Sequence, residues 1–167
     1  MYSYSSQCTA LEDALPPGQV TYPGTEAFSE AQQLYYSTIQ MDISPSCRVA
    51  PTLAEDVSTI VSIAVEGQCK FAIHSGGHME ALGVSNIDEP GFTIDLAGIN
   101  FLELSEDELS ARVGPGLRWG DVYATLHEKN LTAVGGRDPG IGVGGFLLGG
   151  KLPLQLTQFF FANASLI

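Results

Sequence analysis

The stretch that most limits how this chain can fold is Phe71-Ala72-Ile73-His74 running directly into Ser75-Gly76-Gly77-His78. A short apolar run with the character of a buried strand ends in a turn of small residues, and a histidine stands at the far end. Successive backbone amides in such a turn form a concave nest that suits phosphate oxygens, and glycine lets a ligand approach them closely. His78 then faces whatever is joined to that phosphate. A neutral imidazole carries a ring nitrogen able to bond to carbon. A plain glycine turn with an incidental histidine explains the same residues, so the rest of the chain has to decide.

The residues before this stretch predict a strand, a helix and a second strand. Cys47-Arg48-Val49-Ala50 reads as a short strand. Thr52-Leu53-Ala54-Glu55 reads as a capping box, with a hydroxyl at the N-cap and a carboxylate three residues on. The helix it opens carries Val57, Ile60, Val61, Ala64 and Val65 along one stripe and stops at Gly67, and Cys69 to Ile73 follows as a strand. Short links between these elements predict a βαβ unit, and the His78 loop leaves the carboxyl end of its second strand, where α/β sheets take ligands.

Further upstream, residues 8–24 contain Pro16-Pro17-Gly18 and Pro23-Gly24 and read as irregular surface chain. Glu26 to about Gln40 reads as one amphipathic helix, with Ala27, Phe28, Ala31, Leu34, Tyr35 and Ile39 at helical spacing, ended by Ser44-Pro45. Downstream, residues 79–91 read as a polar loop and Phe92 to Leu96 as a half-buried strand. Residues 100–104 and 109–113 are the expected arms of a hairpin, whose acidic tip (Glu106, Asp107 and Glu108, with Glu103 nearby) is a solvated turn rather than a pair of catalytic acids. Gly114-Pro115-Gly116 turns the chain into a helix from Arg118, with Trp119 and Val122 expected in the core and Val122, Tyr123 and Leu126 on its inner face. His127 is expected at the surface, and Leu131 to Val134 is expected as a strand.

Composition narrows the possible partners. At 167 residues the chain has room for about one domain core. A net charge of −12 argues against nucleic acid or an anionic membrane, and requires that any anionic cofactor be held by local donors against the overall field. No apolar run approaches the roughly 20 residues of a membrane span, and the polar start Met1 to Ser6 shows no secretory signal. Cys8, Cys47 and Cys69 leave one thiol over. Cys47 and Cys69 open two strands that are able to lie side by side in a parallel sheet, which allows a disulfide in an oxidising compartment, with buried free thiols as the alternative. Asn130-Leu131-Thr132 and Asn163-Ala164-Ser165 are glycosylation sequons of a kind that chance produces often.

A second glycine-rich stretch runs from Gly135-Gly136-Arg137-Asp138-Pro139-Gly140-Ile141-Gly142-Val143-Gly144-Gly145 to Leu148-Gly149-Gly150. Gly140, Gly142 and Gly145 match the spacing of a dinucleotide fingerprint, but that motif needs an acidic residue about 20 positions on, and no Asp or Glu follows Asp138. A Walker-type phosphate loop fails because Gly150-Lys151-Leu152 lacks the hydroxyl. A metal site from Cys69, His74 and His78 lacks a fourth ligand of the usual kind. What remains is a resemblance. Ser-Gly-Gly-His after a strand, then Arg118-Trp119-Gly120-Asp121-Val122-Tyr123, then Val-Gly-Gly-Arg, Gly-x-Gly-Gly and Leu-Gly-Gly in that order resemble the FAD-linked oxidoreductases of the vanillyl-alcohol-oxidase or PCMH type, in the oxygen-dependent berberine-bridge-enzyme-like branch.

The resemblance covers residues 44–150 and implies an α+β fold, a PCMH-type FAD-binding domain with a small parallel βαβ unit and an antiparallel sheet, C-terminally incomplete. It implies an N-terminal extension with one amphipathic helix over 1–43, a partial FAD-binding domain over 44–150 and a divergent tail over 151–167. By residue it implies that Ser75, Gly76, Gly77 and His78 hold the pyrophosphate and a covalent FAD link through His78. Gly135, Gly136, Gly142, Gly144 and Gly145 would form the second cofactor loop. It implies oxidation of a small-molecule substrate at a carbon bearing oxygen or nitrogen, hydride passing to flavin and then to molecular oxygen, and secretion in relatives. The alternative is a truncated, inactive flavin-binding remnant. Three residues depart from the pattern: His74 stands where relatives usually carry Arg, Asp138 about where doubly linked members carry a second, cysteinyl bond, and Lys151 in place of a third glycine. The remaining FAD domain, the substrate domain and the catalytic base are expected beyond Ile167, and the apolar run 158–162 is expected to be aggregation-prone.

Overall fold

The computed structural model describes residues 4–149. Lys151, the second sequon and the apolar run 158–162 lie outside the described residues. Helices and strands follow in the order α1 (Tyr4–Ala14), β1 (Val20–Thr21), α2 (Glu26–Gln32), α3 (Thr38–Met41), β2 (Arg48–Val49), α4 (Ala54–Gly67), β3 (Phe71–His74), β4 (Phe92–Asp95), β5 (Leu102–Leu104), β6 (Ala111–Val113), α5 (Trp119–His127) and α6 (Val143–Leu148). This is an α+β chain. Its mixed four-stranded sheet has the order β1-β2-β4-β3, with β2, β4 and β3 parallel and β1 antiparallel, and β5 and β6 form a separate antiparallel hairpin.

The βαβ unit is present, but β4 lies between its two strands: Val49 and Ile73 both register with Ile94. That placement corrects two expectations. Phe92, Thr93, Ile94 and Asp95 are all buried, because a central strand is covered on both faces. Cys69 is a free thiol, because the strand inserted beside β2 separates it from Cys47. Cys47 pairs instead with Cys8 across 39 residues of chain, Cα atoms 6.1 Å apart.

Cys8 belongs to a helix where irregular chain was expected. Cys8, Leu11 and Leu15 follow one another at three- and four-residue steps and bury against Val49, Ile60, Ala64, Phe92 and Ile94 in the first core. The predicted helix over 26–40 is broken into α2 and α3. Tyr35 is buried between them, and the Tyr36 N–H donates to the Gly77 carbonyl (3.0 Å), a tertiary bond incompatible with a continuous helix. The α4 cap is shifted by one residue. Its N-cap is Leu53, and Asp56, not Glu55, accepts from the N–H groups of Thr52 and Leu53 (3.0 and 3.1 Å). The hydrogen bond from Gln19 and that from the Thr52 amide hold the Asp56 carboxyl below its usual range.

The second core gathers around Trp119, with Val122, Leu126 and Val143 buried beside it and the β5–β6 hairpin packed against it. Residues 131–134 form no strand; the Leu131 N–H returns to the Leu126 carbonyl (2.9 Å) and closes the end of α5. His127 is exposed, and so is the acidic hairpin tip. Among the described residues no helix is long and apolar enough to cross a membrane.

Candidate cofactor site

The seam between the two cores is where the two glycine-rich stretches meet. A Cβ on Gly142 would stand 2.6 Å from the Cα of Gly76 and 2.8 Å from the Ser75 hydroxyl, and a Cβ on Gly76 would overlap the backbone of Gly142 in return. Only two residues without side chains allow main chain to approach main chain this closely. Ser75 ties the seam by donating to the Pro115 carbonyl (2.6 Å), and Arg118 bridges to Gly142 as an antiparallel pair. Gly77 has φ +65°, and a Cβ there would stand 2.9 Å from Cδ2 of His74.

A cleft of about 260 Å³ opens beside this seam, lined by Leu34, Tyr36, Gly76, His78, Arg118 and Asp138 among others. His78 is half-buried, its ring stacked on Tyr36, with Nε2 3.7 Å from Oδ2 of Asp138. Arg118 is held at the wall by a bond from Nη2 to the Leu34 carbonyl (2.9 Å). Among the described residues, no protein acceptor takes the backbone N–H of Gly76, Gly77 or His78.

Behind the loop lies a buried ionic network. Arg48 Nη2 donates to Asp95 Oδ2 (2.7 Å), and His74 Nδ1 donates to Asp95 Oδ1 (3.0 Å). Arg48 Nη1 also donates to Tyr35 Oη (3.0 Å) and Gln32 Oε1 (2.8 Å), and Tyr35 packs edge-on against His74. Burial pulls the Asp95 carboxyl upward, but the hydrogen bonds and charges of His74 and Arg48 outweigh it and hold the group well below the usual carboxylate range. Burial pushes the Tyr35 phenol up to about 12 despite the nearby Arg48. With Nδ1 committed to Asp95, His74 turns its Nε2 toward Gly77, and that nitrogen has no partner among the described residues.

The residues singled out from the sequence therefore separate into groups. Ser75, Gly76, Gly142 and Gly144 meet at the seam, Gly144 lying under the Ser75 hydroxyl; Gly77 packs beside it against His74 and Tyr35, and His78 stands on the cleft wall. Gly145 is exposed with open space above it. Gly135 and Gly136 lie instead against the Trp119 ring, where a Cβ on Gly136 would stand 2.6 Å from Cδ1. Sequence reasoning missed Tyr36, Arg118 and, as a neighbour of His78, Asp138. A basic residue opening a helix in a chain of net charge −12 was a usable signal for Arg118; nothing local marked Tyr36.

Backbone donors at a glycine seam, a cation and an imidazole thus stand around one cleft on an α+β scaffold. Residues 45–155 match the family model described as FAD binding domain, and the chain belongs to that family. It is 43% identical over 131 residues to the FAD-dependent monooxygenase tpcD of Cochliobolus heterostrophus, covering 78% of this chain and 25% of that protein. It is 39% identical over 153 residues to the FAD-dependent monooxygenase sdcF of Emericella nidulans, covering 90% of this chain and 32% of that one. Among solved structures, BBE-like 1 of Physcomitrella patens superposes with a TM-score of 0.67 at 27% identity, over 84% of this chain and 29% of that protein. The fold is the PCMH-type FAD-binding fold, and the chain spans about a quarter to a third of the relatives it matches.

Proposed function

We propose that this chain supplies the FAD-holding part of a FAD-dependent oxidoreductase that acts on a small molecule, with His78 as the point of covalent attachment. The observation that carries this reading is the contact of Gly76 with Gly142, which joins both glycine stretches in one seam beside His78. The residues present fit the cofactor. Gly76 and His78, on the cleft wall, offer unclaimed N–H groups to the diphosphate, and Arg118 offers the positive charge that His74, paired to Asp95, does not project into the cleft. The cleft is smaller than the about 300–1,000 Å³ of sites that enclose a whole ligand of drug size, so it takes only part of an FAD molecule.

When bound, the flavin would accept a hydride from a carbon bearing oxygen or nitrogen and pass the electrons to dioxygen. This chain's own share is to bind and orient. The seam fixes the phosphates, Arg118 offsets their charge, and His78 holds the ring. Attachment would join an imidazole nitrogen of His78 to the methyl carbon at ring position 8. That bond would cost the imidazole its N–H proton and the methyl carbon a hydride, with dioxygen as the oxidant that would take both as hydrogen peroxide. Purified chain incubated with FAD should show the visible flavin band, and part of the colour should survive acid precipitation. In His78→Ala the colour should bind but not survive acid; an acid-stable flavin in that variant would refute the role given to His78.

A further inference from the structure

His78 is held on two sides by residues from outside its own loop. Its ring lies flat on Tyr36, centroids 4.1 Å apart and planes 12° from parallel. At its edge, Nε2 stands 3.7 Å from Asp138 Oδ2. Both neighbours are themselves aimed. The Gly140 N–H donates to Asp138 Oδ1 (2.7 Å), which leaves Oδ2 as the oxygen turned to the imidazole. The Tyr36 N–H donates to the Gly77 carbonyl (3.0 Å), which ties the stacking ring to the residue just before His78.

A neutral imidazole carries one N–H and one lone pair, and a carboxylate facing one nitrogen favours the proton there. At 3.7 Å the contact is electrostatic rather than a hydrogen bond, and it would favour the proton on Nε2 and the lone pair on Nδ1. The geometry points to Asp138 as the positioning residue for His78: anchored by Gly140, it sets the tautomer, and Tyr36 stacked on the ring face sets the pose. As Nδ1 bonds to carbon, the ring gains positive charge, and the same carboxylate stands ready to balance it. A purely structural role explains the arrangement poorly, because Asp138 is 55% exposed and a surface ion pair of this kind contributes little to stability. The inference rests on the flavin reading above and adds to it the two residues that prepare the histidine.

Asp138→Asn tests it in the full 167-residue chain. The amide keeps an oxygen for the Gly140 N–H and removes the charge, so the fold, followed by Trp119 fluorescence, should be unchanged. Nitrogen-15 NMR of labelled histidine on flavin-free protein should find His78 protonated on Nε2 in the wild type and shifted toward the Nδ1–H form in the variant. With FAD added, and attachment compared at equal bound flavin, the rate at which the flavin becomes acid-stable should fall about tenfold, in line with losing a partner that fixes a histidine tautomer. Tyr36→Phe should attach at the wild-type rate and Tyr36→Ala more slowly. An unchanged tautomer in Asp138→Asn overturns the inference, as does an unchanged attachment rate, and either result leaves the flavin reading standing. If the wild type takes up no FAD, the flavin reading fails and this one falls with it.

Discussion

From Gln7 to Asp95 the chain buries Arg48, Asp56, His74, Asn86 and Asp95 beside its apolar side chains. Beyond Leu96, the buried side chains among the described residues are Trp119, Val122, Leu126 and Val143, all apolar or aromatic. The first region is therefore specified by partners as well as by volume. Arg48 reaches across from β2 to Asp95 on β4, and Asn86 donates to the Gln40 and Ile43 carbonyls (2.9 and 3.0 Å), so strand order and loop path are tied by directional bonds. The second region is specified by shape, with one indole filling the centre and glycines at 135 and 136 making room for it. The candidate cleft lies where these two differently specified regions meet.

Trp119 is the one tryptophan in the chain, so its fluorescence reads the second region alone while far-ultraviolet circular dichroism reads both. The largest effect is expected from Asp95→Ala. It strands Arg48 and His74 in the first core and should cost about 3–5 kcal/mol in urea unfolding. The same pair sets an acid limit. Because the folded carboxyl is held below its unfolded value of about 3.9, its contribution is complete above that value and is lost as pH falls from about 4 toward the folded one. An acid titration should therefore lose circular dichroism below about pH 4 in the wild type, and Asp95→Ala should flatten that part of the profile. If Trp119 fluorescence changes at the same pH, the two regions are a single cooperative unit and the contrast is one of composition only.

Cys8→Ala should come next, at about 2–4 kcal/mol, because it reopens a loop of 39 residues that anchors α1 to β2. Gly142→Ala should cost about 1–3 kcal/mol by forcing the seam apart, and it should abolish flavin uptake as well. Uptake surviving in that variant would break the assignment of the seam as the cofactor cradle. The smallest effect is expected at the hairpin. Arg112→Ala removes an exposed pair with Glu103 (2.7 Å) and should move the thermal midpoint by the equivalent of less than about 1 kcal/mol.

Local pattern made much of this legible beforehand. The α4 helix, the strand into Ser75, the hairpin arms and the inner face of α5 all appear where spacing placed them, since each is decided by residues a few positions apart. The expected α4 stripe is only partly buried: Ile60 and Ala64 enter the core while Val61 and Val65 are exposed, and Phe71 and Ile73 are exposed too because β3 is an edge strand of the sheet. The order of the three glycine-bearing blocks was enough to point to the FAD-binding fold. What spacing did not reach was α1, whose three-residue rhythm is short and whose stability comes from Cys47 and the first core, and the break near Tyr35 in the helix before it.

Sequence alone determined that a strand ends in Ser75-Gly76-Gly77-His78 and that a second glycine stretch follows the Trp119 helix, because a run of residues with few or no side chains is a local fact. Tertiary structure decided that β4 enters between β2 and β3, that Cys8 rather than Cys69 meets Cys47, and that Tyr36 and Asp138 close on His78. Those are pairings between segments tens of residues apart. They are chosen by which arrangement buries Arg48 with its carboxylate and lets Gly76 touch Gly142, a condition that only the assembled molecule can satisfy.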